Sequence, residues 1–244
     1  MKQIRGIALL AFSILLAGCG GGSGGSTALP ANVKVVPGDT SAQTKSNLYA
    51  VTNDASGTIV AVGAGGTILV STDGTTWAPA NSHTSMDLYA IFNTNGRYFA
   101  VGANGTILTS TDAGQWTTVN STTSVNLRGV SYGASVAAAT AAAAATWVVV
   151  GDGGALVTSP DGINWTAESP ITANNLTSIV HGTQFVTAGS AGAIFTSIDG
   201  HSWQPEVSET TQNLRAVTFT VLSARSIGVG YVAVGDAGTN LSAF

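Results

Sequence analysis

Charge is scarce in this 244-residue chain: 8 Lys or Arg and 12 Asp or Glu amount to 8% of the residues, against roughly a quarter in ordinary soluble domains. So few cations leave no basic footprint for nucleic acid and no charge pattern for a coiled coil. The single cysteine, Cys19, excludes a disulfide framework. The three histidines, His83, His181 and His201, occupy unrelated positions without an H-x-x-x-H spacing or a thiol partner, so no metal site and no cofactor is implied, and each reads as a solvated loop residue. What the chain does have is 44% apolar residues, 31 glycines and a mean hydropathy of +0.31, the composition of a packed β protein with many tight turns.

The first 18 residues read as a leader. Lys2 and Arg5 precede an apolar stretch from Ile7 to Leu16, which at about ten residues is too short for a permanent membrane span but suits a secretory signal. The run Leu16-Ala17-Gly18-Cys19 resembles the lipobox of bacterial lipoproteins, and the resemblance implies cleavage before Cys19 and lipidation of its thiol. Gly20, where an aspartate would favour inner-membrane retention, leans the address toward the outer membrane. Loss of residues 1–18 leaves six basic against twelve acidic side chains, a formal charge of −6, so the lipid and not electrostatics would hold the protein to a bilayer. Residues 19–28 then form a Gly/Ser-rich tether with nothing to build a core, and 29–244 form the body.

The body repeats. Leu48, Leu88, Leu127, Leu176 and Leu214 are separated by 40, 39, 49 and 38 residues, the length of a four-stranded propeller blade. After each leucine come a strand-like stretch and an apolar run: Ile59–Val62, Tyr98–Val101, Trp147–Val150, Phe185–Ala188 and Tyr231–Val234. Consecutive apolar residues without alternation predict a strand covered on both faces. A G-x-x-G pair closes each run (Gly63/Gly66, Gly102/Gly105, Gly151/Gly154, Gly189/Gly192, Gly235/Gly238). No helix and no lysine follow any copy, so these are hairpin turns and not phosphate loops.

Four units carry a second motif: Ser71, Asp73 and Trp77; Ser110, Asp112 and Trp116; Ser159, Asp161 and Trp165; Ser197, Asp199 and Trp203. These resemble the Asp-boxes of BNR or sialidase-type repeats, and the Gly-Thr-Ile-Leu segments before the first two are similar to those of the Ycf48-like assembly-factor group. The resemblance spans residues 48–244 and implies an all-β, five-bladed β-propeller. The interval from Asp to Trp is four in every copy, tighter than the common pattern. Ser and Asp oxygens can satisfy turn amides while Trp packs against the next sheet, which is scaffold chemistry.

The fifth unit reaches Phe244 after three strands. Each Asp-box Trp precedes the next leucine by 11 residues, and 11 before Leu48 is Pro37, directly after Val33-Lys34-Val35-Val36. That segment is expected to be the fourth strand of the last blade. Two insertions, Val136–Thr146 and Val221–Gly230, read as low-complexity loops.

Catalytic constellations are missing from the sequence. A sialidase requires an arginine cluster and a tyrosine nucleophile, yet only Arg128 and Arg215 share a repeat position, and no G-x-S-x-G elbow exists outside the tether. The residues following the five leucines are Tyr49, Tyr89, Arg128, Thr177 and Arg215, with Asp152 and Asp236 in the adjacent turns of blades three and five. Paired arginines and packed tyrosines make a scaffold; exposed and convergent, they make a shallow site for an acidic sugar or a peptide carboxylate. The expectation is a non-catalytic, lipid-anchored scaffold of the cell envelope with a protein or glycan partner. The alternative is a glycan-binding or glycan-cleaving protein.

Overall fold

A computed structural model of the chain describes residues 44–134, 145–222 and 228–243. The leader, Cys19, the tether and Val33–Val36 lie outside the described residues. Five antiparallel meanders follow one another. The first sheet is β1 (Leu48–Asn53), β2 (Ile59–Gly63), β3 (Ile68–Ser71) and β4 (Ala78–Ala80), and the second is β5 (Leu88–Thr94), β6 (Arg97–Gly102), β7 (Ile107–Ser110) and β8 (Thr117–Val119). The third comprises β9 (Leu127–Ala134), β10 (Ala145–Gly151), β11 (Leu156–Ser159) and β12 (Thr166–Ala167). The fourth comprises β13 (Leu176–His181), β14 (Phe185–Gly189), β15 (Ile194–Ser197) and β16 (Gln204–Glu206), and the fifth β17 (Leu214–Leu222), β18 (Gly228–Gly235) and β19 (Asn240–Ala243). First strands pack side by side: β1 on β5, β5 on β9, β9 on β13 and β13 on β17.

The core lies between sheets. Second strands are apolar on both faces because each is sandwiched: Val60 and Val62 pack with Ile68 of their own sheet against Leu88, Tyr98, Ala100 and Leu108 of the next. Leu88, Leu127, Leu176 and Leu214 are fully buried at these junctions. Three of the four Asp-box tryptophans, Trp116, Trp165 and Trp203, plug the same junctions, but in the opposite sense to the sequence expectation. Trp116 reaches back against the first sheet and Trp165 against the second, because the Asp-box turn brings each indole to the side of its sheet that faces the preceding one.

A latch ties each turn to its neighbours. The carbonyl of the residue before each leucine accepts the amide at the start of its own G-x-x-G turn, as Asn47 O does from Ala64 N at 2.8 Å. The side chain of the corresponding residue in the next unit accepts an amide from the middle of that turn: Asp87 from Gly65, Asn126 from Asn104, Asn175 from Gly153 and Asn213 from Ala191, always 22 residues apart. These close approaches explain both glycines. A Cβ on Gly63 would sit 2.0 Å from Asn47 O, and one on Gly66, which also has a positive φ of 73°, would sit 2.0 Å from Thr84 O.

The two end sheets carry unmatched halves of these junctions. Leu48 is 44% exposed and Val234 42% exposed, where their counterparts in the other units are at 0%. A Cβ on Gly238 would meet nothing within 4 Å among the described residues. The expected N-terminal closing strand falls outside the described residues, yet the observed register bears on it. Outer strands start one residue after Trp, as Ala78 follows Trp77 and Thr117 follows Trp116. The interval of 11 therefore marks the tryptophan position and not the outer strand itself.

Two further expectations are corrected. Ala145 and Thr146 belong to β10, paired with Ala134 and Gly133, and Val221–Leu222 pair with Gly228–Val229. Backbone pairing extends these hairpin arms into what the repeat alignment counts as insertion. His181 is not a solvated loop residue: it ends β13, its ring lies 4.5 Å from that of Phe185, and its Nε2 is buried without a partner among the described residues. Burial holds its pKa below the ordinary value, the backbone of Ala134 opposing the shift.

Candidate functional site

The residues after the five leucines share a backbone feature. In β1, Leu48 pairs with Gly63 and Ala50 with Val62, which leaves Tyr49 unpaired. The same skip leaves Tyr89, Arg128, Thr177 and Arg215 unpaired in their strands. A bulge re-aims the side chain of its extra residue, so five side chains are set at equivalent places around the inner strands.

Three of them form a continuous row. The rings of Tyr49 and Tyr89 are 5.9 Å apart, and the Arg128 guanidinium lies over the Tyr89 ring at 5.0 Å from its centroid. Arg128 Nη2 donates to Asp152 Oδ2 at 2.9 Å, and Arg128 Nε to Asp152 Oδ1. Arg215 repeats the fork: Nε and Nη2 each donate to Asp236 at 2.8 Å. Asn126 and Asn213 donate to the same carboxylates at 3.0 Å. Hydrogen bonds from the arginines hold both carboxyls below the ordinary range, and the carboxylates raise both guanidiniums. The two pairs differ in access, with Arg128 33% exposed and Arg215 61%. Thr177 turns inward, donating to Leu214 O at 2.6 Å.

The asparagine of the Asn-Leu-Arg triplets is a site residue that motif and spacing arguments miss. Its signal is a residue of the Asn/Asp type directly before every anchoring leucine: Asn47, Asp87, Asn126, Asn175 and Asn213.

The Asp-boxes serve their own turns. Asp73 Oδ1 accepts from the amides of Thr75 and Thr76 at 2.8 and 2.7 Å, and the same pattern holds at Asp112, Asp161 and Asp199. Ser71 Oγ donates to Asp73 and accepts from Gly74 N, as Ser159 and Ser197 do with Gly162 and Gly200. Ser110 donates to Asp112 in the same way. Backbone amides from Thr76 and Thr75 hold the Asp73 carboxyl far below the usual range, and those of Asn164 and Ile163 do so for Asp161. In the second box the left-handed residue is Ala113 (φ 61°), not glycine.

No protein-family description matches the chain, and no curated protein matches it. Among solved structures the chain is similar to Ycf48 from Cyanidioschyzon merolae (TM-score 0.55, 18% identity, covering 80% of this chain and 66% of that one). It is also similar to Ycf48 bound to D1 peptide (TM-score 0.54, 18% identity, 81% and 63%) and to a chain of the nidogen/laminin complex (TM-score 0.52, 14% identity, 78% and 76%). The match spans just under two thirds of either Ycf48 chain. At these identities the likeness shows the fold, which is a β-propeller, and five blades fit the five sheets.

Proposed function

We propose that this chain is a non-catalytic binding or assembly scaffold, anchored through lipid on Cys19 in the bacterial cell envelope, whose protein partner meets the bulged residues of the inner strands. One observation carries the reading: Tyr49, Tyr89 and Arg128 form a stacked, partly exposed row, with a second forked Arg–Asp pair at Arg215. Each guanidinium is forked onto its own aspartate, so the row offers a peptide segment two aromatic faces beside neutral Arg–Asp pairs, a polar surface with no free cation between them. The solved Ycf48 complex with D1 peptide supports a peptide as the ligand class. A non-catalytic role is supported by the Asp-box carboxylates, each of which turns its Oδ1 to the amides of its own turn.

The reading includes a ring of five blades in which the fifth sheet covers the first. Thr44 accepts from Ser46 N as Thr84 does from Met86 N, so the lead-in to the first sheet already has the conformation of an inter-blade linker. Capture of partners from membranes tests the binding site. Wild-type bait should retain a cross-linked partner that Arg128→Ala/Arg215→Ala bait loses while keeping its melting temperature within a few degrees. A double variant that folds and retains the partner would place the site elsewhere.

A further inference from the structure

The two forked arginines are the same device in two surroundings. Each sits at the bulge of its inner strand, forks onto the aspartate of its own turn and shares that carboxylate with the asparagine two residues before it. Each inner strand also packs on the preceding one, β9 on β5 and β17 on β13. The bulged residue of that preceding strand makes the difference. Beside Arg128 it is Tyr89, whose ring covers the guanidinium at 5.0 Å. Beside Arg215 it is Thr177, a short side chain turned inward with its hydroxyl 2.6 Å from Leu214 O. Among the described residues no ring lies over Arg215, and its side chain is 61% exposed against 33% for Arg128.

We propose that the gap above Thr177 receives an aromatic side chain of the partner protein, which stacks on the Arg215 guanidinium as Tyr89 stacks on Arg128; this rests on the reading that a partner meets the bulged residues. The chemistry follows from which parts of Arg215 are already engaged. Its Nε and Nη2 edge is occupied by Asp236, and Asn213 holds that carboxylate as well. A ligand carboxylate would have to displace the aspartate, whereas the flat face of the guanidinium is open. The fork fixes the plane of that face, so little side-chain freedom is lost when a ring settles on it. An aromatic ring is attracted by the cation without disturbing the ion pair. An aliphatic side chain of similar size gains contact area alone. A nucleobase has a π face too, but its phosphates would meet a chain of formal charge −4 whose remaining described arginine, Arg97, already donates to Asp161 O. A protein side chain meets no such repulsion, and it continues the row of Tyr49, Tyr89 and Arg128 across the break that Thr177 makes.

Capped pentapeptides Gly-Gly-Trp-Gly-Gly, Gly-Gly-Leu-Gly-Gly and Gly-Gly-Asp-Gly-Gly, titrated into the full-length chain in detergent, provide the test. The NMR signal of the Arg215 Nε–H group, identified as the one that Arg215→Lys removes, should move upfield with the Trp peptide through its ring current. The Arg128 signal, already under Tyr89, should move less. The Trp peptide should bind about 3-fold or more tightly than the other two. Thr177→Tyr supplies the ring from within, so its Arg215 signal should stand upfield without peptide and no longer respond to it. The wild-type titration decides the matter even if Thr177→Tyr, which gives up the bond to Leu214 O, fails to fold. Equal binding of the Leu peptide, preference for the Asp peptide, or a still Arg215 signal at the highest soluble concentration of the Trp peptide would overturn the proposal. Partner capture keeps the two readings apart. If Thr177→Tyr bait retains a cross-linked partner that Arg128→Ala/Arg215→Ala bait loses, the bulged residues remain the site and the aromatic contact is overturned.

Discussion

Gly74 and Gly162 occupy the same place in two Asp-boxes, with φ of 73° and 71°, and the structure predicts that their alanine variants differ. The backbone penalty is common to both: about 1–2 kcal/mol for a Cβ in the left-handed region, offset by about 0.4–1 kcal/mol from the reduced freedom of the unfolded chain. Ala113, at φ 61° in the second box, shows that this turn accepts a methyl group there. What separates the two sites is space. A Cβ at Gly74 finds Ile59 Cδ1 at 3.6 Å, an ordinary contact, whereas one at Gly162 would lie 2.6 Å from Phe99 Cζ and 3.2 Å from Trp147 Nε1. Phe99 is fully buried and its ring centroid is 4.0 Å from that of Trp147, so neither ring can withdraw. Overpacking adds about 1–3 kcal/mol. Gly74→Ala should therefore cost about 1 kcal/mol and Gly162→Ala about 2–4 kcal/mol. In urea unfolding with a slope near 2 kcal/mol/M, the two midpoints should differ by about 1 M at unchanged slope. Equal midpoints would refute the claim that the Asp-box glycines are held by packing between sheets as well as by φ.

Leu88→Ala, Leu127→Ala, Leu176→Ala and Leu214→Ala should each cost about 2–5 kcal/mol; Leu48→Ala should cost as much if the fifth sheet covers the first in solution, and a cost under about 1 kcal/mol would leave the ring open. Acid should destabilise in two steps, read as unfolding midpoints against pH. Burial lowers the folded-state pKa of His181, so between that value and about 6.5 the unfolded chain binds more protons; stability is complete above this window and falls as pH drops through it, and His181→Gln should remove the step. The Asp-box carboxyls are lowered too, so their contribution holds above the ordinary carboxyl range and is lost below it. Cys19→Ser should move the protein from the membrane to the soluble fraction; a salt-resistant membrane pool of the variant would defeat the anchoring proposal.

The sequence by itself determined the repeat, the strand order within each unit, the double-sided burial of the second strands and the positions of the turns, because these are local matters of period, β-branching and glycine. Arg128, Arg215, Asp152 and Asp236 were legible as candidates because they break the repeat at matching places, and their pairing followed from being on adjacent segments of one sheet. Tertiary structure alone decided what depends on the neighbouring blade. It turned Trp116 toward the preceding sheet, gave the residue before each of the last four leucines its latch to a turn 22 residues away, and packed His181 against Phe185. It also separated Leu48 from four leucines that are identical to it in the repeat. A one-dimensional repeat makes such positions look equivalent. Burial depends on which sheet stands alongside, and among the described residues each end sheet buries one such position less than the sheets between them do, Leu48 in the first and Val234 in the fifth.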